Sequence, residues 1–347
     1  MPAVEVEGSG VAAMTVIRRL RESGIHVVER PQPADLSVWL CLTAESAALL
    51  RAVWGWSEGG SPSAWPVSGR LVRWGAEPPT YLAAPALMLN AASLRLELAA
   101  LSNMAGTTHD LDIQWSVHTR DAAPVDTRVQ FGRRWVAQGV VECSRSAPAY
   151  ATLESIDDRG WLFFSPLGNG DGVVQAMTLG LPGDAVGLLD EIIRESVLAA
   201  PFLGHWRQKP VAVDASPSLH RHFIDGNAIR VGAAAARLDP ISGGGVAFSI
   251  RSAVLLAAAL AEGRSGRLRS KAAASAALRY YENRLKTAFL AHLQTTSSYY
   301  GDAFSSAAWH ALREDAELVA LAERLSSAQL TAAHFALHDY DLVEISR

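Results

Sequence analysis

The segment best suited to chemistry in this 347-residue chain is a run of three glycines at positions 243–245. A β-rich run at 228–231 precedes them, and an Ala/Leu-rich stretch with helical spacing follows. Because glycine has no side chain, a flat ligand can approach the backbone there, and the N-terminus of the following helix faces that ligand. The pattern predicts a binding loop whose candidate contact residues are Asp239, Pro240, Gly243, Gly244 and Gly245.

The start of the chain predicts a second binding turn. Residues 4–28 have the order strand, glycine-rich turn, helix and strand that is typical of dinucleotide-binding units. Gly8 permits the tight turn, Gly10 permits close approach of a pyrophosphate, and Ala13 permits packing of the helix on the strand. Glu29 follows the second strand, where an acid usually binds ribose hydroxyls. An ordinary strand–helix turn without a ligand remains the alternative.

Hairpins are predicted in the middle of the chain. Turn residues at 157–160 and 168–172 separate three β-rich runs between 151 and 179. The second run carries Trp161 and Phe163 at alternating positions, so the two rings share one face of the strand. Helical spacing predicts helices at 44–53, 87–102 and 184–199 and a helical tail after Arg264.

Two of these segments resemble known motifs. Residues 229–245 resemble the flavin-contacting segment V-G-D-A-A-x-x-x-D-P-x-S-G-x-G of FAD-dependent aromatic hydroxylases and flavin-dependent halogenases. Residues 160–167, G-W-L-F-F-S-P-L, resemble the W-x-W-x-I-P segment of the halogenases and their monooxygenase relatives. The glycine-rich turn, the aromatic strand and the Asp-Pro-Gly segment also occur in the family's order. The resemblance covers most of residues 4–312 and implies a p-hydroxybenzoate hydroxylase-type fold.

We therefore expect a fold of the α/β class, which is α+β when the whole chain is considered. A Rossmann-like FAD-binding domain is discontinuous in sequence and built from residues 1–110 and 205–265. Residues 111–204 form an antiparallel sheet domain for the substrate. Residues 266–347 form C-terminal helices packed at the side.

The resemblance also implies a chemistry. NAD(P)H reduces FAD, O₂ adds at the C4a carbon, and the flavin hydroperoxide hydroxylates an aromatic ring. The ring belongs to a small molecule or to a residue of a partner protein, since some relatives act on protein residues during quinone-cofactor biogenesis. Trp161, Phe163 and Pro166 are expected beside the substrate, and no side chain stands out as a catalytic acid or base.

The sequence departs from the family pattern in three places. Ala233 replaces the family's aspartate that holds the ribityl chain. Asn90 stands nearest the position where the family has a phosphate-binding arginine. The flavin-touching D-A-T-G type segment is missing between Asn103 and Val140. Each lost side-chain contact removes about 1–3 kcal/mol of binding. The alternative function is therefore a degenerate flavoprotein fold that binds FAD weakly or not at all and acts as a partner or maturation factor.

The positions of the lysines argue against halogenation. Halogenases of this family use a lysine early in the flavin domain, but the lysines of this chain are Lys209, Lys271 and Lys286. We expect hydroxylation instead.

Other function classes are disfavoured. A net charge of −4 and a pI near 6.2 provide no basic field for nucleic acid. Cys41 and Cys143 are too isolated for a thiolate metal site, and His220 with His222 lacks a third ligand nearby, so we expect no metal. The apolar stretch at 253–261 is too short for a bilayer, which predicts no membrane contact and a cytoplasmic location.

An irregular, tryptophan-bearing segment at 54–74 is the last notable feature. Long irregular segments often form lids or docking surfaces. We expect this one to control access to the substrate without contributing to the fold.

Overall fold

The computed structural model describes residues 2–32, 38–61, 63–102, 112–119, 127–179, 182–265, 271–310, 321, 334–338 and 341–345. The helices are α1 (Val11–Glu22), α2 (Ala44–Trp54), α3 (Ala91–Leu101), α4 (Pro182–Glu195), α5 (Gly245–Ser265), α6 (Lys271–Ala303) and α7 (Ala307–His310).

The strands run in chain order as β1 (Pro2–Glu7), β2 (His26–Arg30), β3 (Trp39–Thr43), β4 (Trp65–Val67), β5 (Arg70–Arg73), β6 (Thr80–Leu82), β7 (Ala86–Asn90), β8 (Asp112–His118), β9 (Arg128–Gln130), β10 (Arg134–Cys143), β11 (Ala151–Ile156), β12 (Gly160–Pro166), β13 (Asp171–Leu179), β14 (Leu203–Asp214), β15 (Ser218–His220), β16 (Ile224–Asp225), β17 (Ala228–Arg230), β18 (Ala236–Arg237), β19 (His334–His338) and β20 (Asp341–Ile345).

The first sheet has the order β16-β17-β8-β1-β2 and carries the glycine-rich turn. β1 pairs in parallel with β2, with Val4 opposite Val27, and β8 pairs in parallel with both β1 and β17. The predicted unit of strand, glycine-rich turn, helix and strand is thus confirmed, and its two strands are parallel neighbours. Val16 and Leu20 of α1 are fully buried against this sheet, as is Ile229 of β17. The elements on either side of the turn between β1 and α1 are therefore packed in one apolar core.

The second sheet has seven strands in the order β14-β10-β13-β12-β11-β5-β6. The predicted hairpins are confirmed, since β12 pairs antiparallel with both β11 and β13. All of β11 and β12 is buried, because α4 covers one face and the aromatic end of α6 covers the other. One face of this seven-stranded sheet is turned toward loops that follow strands of the first sheet.

Sheet membership departs from the predicted segments 1–110 and 111–204. β8 was expected in the antiparallel sheet but lies in the first sheet, whereas β5 and β6 join the second sheet from the N-terminal part. β14 continues the second sheet beyond residue 204. Period-2 alternation identifies a strand but does not identify its partner, which explains the difference.

Two further predictions on the N-terminal half were wrong. The helix predicted at 87–102 begins only at Ala91, because Leu87 and Leu89 belong to β7 and pair with β3. The segment at 54–74 is not a free lid, since Trp54 and Trp56 are each only 2% exposed and β4 and β5 lie within it. This segment is part of the packed fold.

The C-terminal part combines the expected helices with an unexpected hairpin. α6 is 33 residues long, and β19 pairs antiparallel with β20 near the chain's end. The tail was predicted to be wholly helical, but short β-rich runs at 334–338 and 341–345 pair with each other. Much of the predicted region 266–347 lies outside the described residues, as do most of the positions between Asn103 and Thr127 that were compared with the family.

α5 is longer and more apolar than expected. Its window Gly245–Glu262 is long and apolar enough to cross a membrane by length and composition, which corrects the expectation from the stretch at 253–261. Of this window, 61% is buried inside the fold, where α5 packs on α1, α2 and α6. In this fold α5 is a core helix.

Candidate functional site

A cavity of about 480 Å³ lies between the seven-stranded sheet and the loop before α5, and it contains most of the predicted binding loop. Its volume is within the range typical of small-molecule sites. One wall is formed by the loop before α5 and the first turns of α1 and α5, and the other by β3, β10, β13 and β14. The cavity is open beside β14, whose Val211 and Val213 line it while being 46% and 38% exposed.

The predicted binding loop forms the floor of this cavity. Asp239, Pro240, Gly243 and Gly245 line it, and Gly244 lies between the last two in sequence. Gly243 has a φ of 61°, a left-handed conformation that favours glycine. α5 begins at Gly245, so the predicted loop-to-helix transition is confirmed and the helix N-terminus points at the cavity.

Ala233 also lines the cavity, where its side chain is exposed. Arg128 fixes the local backbone by donating from Nη2 to the Ala233 carbonyl (3.2 Å) and from Nη1 to the Ala234 carbonyl (3.0 Å). A longer acidic side chain at 233 would therefore project into the cavity from a rigid position.

The glycine-rich turn lies outside the cavity lining and adjoins it through Val11. Gly8 has a φ of 124°, and a Cβ there would lie 2.0 Å from Thr119 Oγ1. Gly10 is the N-cap of α1, and a Cβ there would meet nothing within 4 Å. Ala13 is fully buried. The turn thus keeps the open space at a helix N-terminus that a pyrophosphate needs.

The polar residues near this turn bond to one another. Arg21 Nη2 lies 2.7 Å from Glu29 Oε1, so the expected ribose acid is paired with α1. The Ser9 hydroxyl donates to the Gln32 carbonyl (2.7 Å) and accepts from the Gln32 amide (3.1 Å). These bonds tie the glycine turn to the chain after β2.

Asn90 has a structural role. Its Oδ1 accepts from the Ala92 amide (2.9 Å) and caps α3. Asn90, which stands closest to the sequence position of the family's phosphate-binding arginine, therefore serves as a helix cap.

The predicted substrate residues do not line the cavity. Trp161 and Phe163 pair with Met177 and Gln175 across β12 and β13, so they share the sheet face that bounds the cavity, but they lie behind its lining. Pro166 lies on the opposite face. Both rings are buried in the core with Met177, and they support the wall without forming its surface.

Sequence reasoning missed a buried ion pair beneath the cavity floor. Arg134 Nη1 donates to Asp239 Oδ2, and the two residues are 2% and 1% exposed. Tyr300 donates to Asp239 Oδ1 (2.7 Å), and the Arg134 guanidinium lies 4.5 Å from the centre of its ring. Trp161 Nε1 donates to the Tyr300 hydroxyl (3.2 Å). The carboxylate of Asp239, predicted as a cofactor contact, is thus fully used by the protein.

Protonation in this network follows from burial. Burial first, and then the Asp239 carboxylate, raise the pKa of Tyr300 well above its ordinary value, so the hydroxyl keeps the proton that it donates. Burial lowers the pKa of His292, and its neutral Nε2 accepts from the Asp239 amide (2.8 Å). Burial also raises the pKa of Cys41 in the cavity wall, which keeps the thiol protonated.

The composition of the strands carried a signal for these missed residues. Arg134 and Gln138 interrupt the apolar run of β10 on one face, and Gln175 interrupts that of β13. A polar side chain within a buried strand requires a partner or a function. In the described part of the chain no cluster of three metal-ligating side chains occurs, and His220 Nδ1 accepts from the backbone amide of His222.

The residues present fit FAD mainly through backbone groups. The α1 N-terminus at Gly10 suits the pyrophosphate, and the 243–245 loop with the α5 N-terminus suits the edge of the flavin ring. Ala233 supplies no carboxylate for the ribityl chain, and Asn90 supplies no cation for a phosphate.

No protein-family model and no curated protein matches the sequence. Solved structures match over nearly the whole chain. A peptidyl tryptophan dihydroxylase, QhpG, described as essential for tryptophylquinone cofactor biogenesis, has a TM-score of 0.72 and 22% identity over 99% of this chain and 86% of that chain. The myxobacterial chondrochloren halogenase CndH, which is FAD-dependent, has a TM-score of 0.77 and 17% identity over 94% of this chain and 88% of that chain.

A third structure, PqsL, is a probable FAD-dependent monooxygenase from Pseudomonas aeruginosa. It has a TM-score of 0.66 and 15% identity over 92% of this chain and 99% of that chain. The fold is that of the FAD-dependent monooxygenases and halogenases. The resemblance predicted from the motifs is confirmed at the level of the fold.

Replacing Arg134 by Met tests the ion pair. The substitution leaves the Asp239 carboxylate buried without its cation, and we expect it to lower the free energy of unfolding by about 3–5 kcal/mol. Urea denaturation followed by far-UV circular dichroism measures this loss. The matched control is Arg207→Met, since Arg207 is 58% exposed and pairs with Glu142 at 3.1 Å. We expect the control to change stability by at most about 1 kcal/mol. Equal losses in both variants would contradict a special role for the buried pair.

Proposed function

We propose that the protein is an FAD-dependent monooxygenase that hydroxylates an aromatic ring. The observation that carries this proposal is the cavity, which joins the 243–245 loop and the α5 N-terminus on one side to a mainly apolar sheet wall on the other. Such a cavity provides space for a flavin ring and a second flat ring next to each other. FAD, when bound and reduced by NAD(P)H, would supply the oxygenation chemistry.

The residues of the chain would orient the two rings and exclude water. The α5 N-terminus would stabilise negative charge at the edge of the flavin ring. Val136, Val211 and Val213 would provide an apolar surface on which the substrate ring packs. The charged residues of the lining are Asp214, Arg237 and Asp239, and each of these is in an ion pair. This arrangement suits a protein that positions the ring and does not itself supply an acid or base.

We favour hydroxylation over halogenation because no lysine precedes Lys209 in the sequence. The family's halogenases use an early lysine to carry the oxidised halide. The fold alone does not separate the two activities, since a halogenase and a monooxygenase both match it. The substrate would be a free aromatic molecule or a residue of a partner protein, and the match to a peptidyl tryptophan dihydroxylase supports keeping the second case.

A second candidate function is favoured by the side chains at the positions where the family binds FAD. Glu29 is paired with Arg21, Asn90 caps a helix, and Ala233 has no carboxylate. A chain with these features would bind FAD weakly or not at all and act as a partner or maturation factor. The visible absorbance of an oxidised flavin in the purified protein would favour the enzyme.

We expect FAD to bind the apo-protein with a dissociation constant in the micromolar range or weaker, because two side-chain contacts are lost. Ala233→Asp should tighten binding by about tenfold or more, since the new carboxylate would accept ribityl hydrogen bonds worth about 1.5–3 kcal/mol. Titration followed by quenching of flavin fluorescence measures both constants.

Gly10→Val serves as the comparison variant in this titration. Nothing lies within 4 Å of a Cβ at this position, and the φ of −83° suits any residue, so the fold should be unchanged. The branched side chain would occupy the pyrophosphate space and weaken FAD binding. If neither variant alters the affinity, FAD does not bind next to Gly10 and Ala233.

Turnover tests the proposed reaction itself. With FAD, NADPH and indole as a probe ring, we expect NADPH oxidation to be accompanied by a product heavier by one oxygen atom in mass spectrometry. NADPH oxidation that is no faster than with free FAD, and without such a product, would favour the partner function.

A further inference from the structure

Two glutamine side chains stand next to each other in the cavity wall. Gln138 of β10 lies directly opposite Gln175 of β13, and both line the cavity. Their neighbours on this wall are mainly apolar, among them Val136, Val211 and Val213. Polar side chains at such positions usually orient a ligand or satisfy buried backbone groups.

Gln138 satisfies backbone groups. Its Oε1 accepts from the Trp39 amide (2.7 Å), and its Nε2 donates to the Trp39 carbonyl (3.1 Å). Both ends of the amide are thus used, and they attach the start of β3 to the large sheet. This bond pair fixes the backbone of Trp39, which lines the same cavity.

Gln175 is used at one end. Its Nε2 donates to the same Trp39 carbonyl (3.3 Å). A carbonyl oxygen only accepts, so the amide nitrogen must face Trp39, and this settles the orientation of the side chain. Within the described part of the chain, Gln175 Oε1 has no hydrogen-bond partner, and the residue is only partly buried. A fixed acceptor is therefore available at the cavity.

We propose that Gln175 is a specificity-determining residue whose Oε1 accepts a hydrogen bond from an N–H or O–H group of the substrate ring. The inference rests on the proposed function, since it assigns the cavity to an aromatic substrate. The ligand is a flat ring with one hydrogen-bond donor, of the indole or phenol class, packed on the apolar wall beside Gln175 and Trp39. Gln138 acts through Trp39 and is a positioning residue.

The chemistry of the wall explains the selectivity. A ring without a donor gains the same apolar burial but leaves the amide oxygen without a partner once water is displaced. Losing one neutral hydrogen bond of this kind costs about 0.5–1.5 kcal/mol, which is roughly two- to tenfold in affinity. Sites built around such an acceptor discriminate against analogues that lack the donor.

The test compares indole with indene, its carbocyclic analogue of nearly the same shape without the N–H. Binding of each to the 347-residue protein is measured by isothermal titration calorimetry, with and without saturating FAD. We expect the wild-type protein to bind indole about two- to tenfold more tightly than indene. In Gln175→Leu the preference should vanish or reverse in favour of the more apolar indene, with indene affinity retained. Gln175→Glu keeps an acceptor oxygen but can no longer donate to the Trp39 carbonyl. Indole should remain preferred in this variant, because a carboxylate accepts from an N–H more strongly than an amide oxygen does.

Gln175→Met, which is similar in length and has no oxygen, replaces the leucine variant if that one does not fold by circular dichroism. An unchanged indole preference in the leucine or methionine variant would overturn the proposal, as would equal affinities or no binding of either ring in the wild type. Because the comparison is also made without FAD, its outcome is separate from the test of flavin binding. A protein that discriminates between the rings but does not bind FAD would retain this inference and lose the proposed enzyme.

Discussion

The cavity depends on one buried ion pair, Arg134 with Asp239. Arg134 begins β10 of the large sheet, and Asp239 begins the loop that leads to α5, so the pair joins the two walls of the cavity. Two residues of α6 also bind Asp239: Tyr300 donates to its carboxylate, and His292 accepts from its backbone amide. A buried charge without its partner costs several kcal/mol, so the loop is held in this position whenever the chain is folded. The floor of the cavity is therefore held by contacts within the protein itself.

This constraint changes the meaning of the Asp-Pro-Gly segment. Asp239 was predicted as a cofactor contact, but its carboxylate accepts from Arg134, from Tyr300 and from the Ile241 amide. Its role is to hold the glycines that follow. What remains for a flavin is backbone: the 243–245 loop, the α5 N-terminus and the open space at Gly10.

Local patterns predicted the parts of the fold that are determined locally. The β1–α1–β2 unit and the hairpins of β11, β12 and β13 follow from alternation, helical spacing and turn glycines within short segments. The partners of β8 and the course of β7 could not be predicted in this way, because strand alternation is the same in any sheet. The ion pair joins residues that are 105 positions apart, a distance over which periodicity carries no information. The predicted substrate residues do not line the cavity for a related reason: the aromatic rings of β12 were chosen for their size, but the cavity surface on this sheet is made by glutamines and valines of β10, β13 and β14.

A crystal structure of the protein grown with FAD tests the central claim most directly. We expect the flavin ring in the cavity against Pro240 and the 243–245 loop, with the pyrophosphate beside Gly10 and the Arg134–Asp239 pair intact beneath it. A flavin bound elsewhere on the chain, or a cavity without flavin at FAD concentrations that saturate any binding seen in solution, would contradict the account.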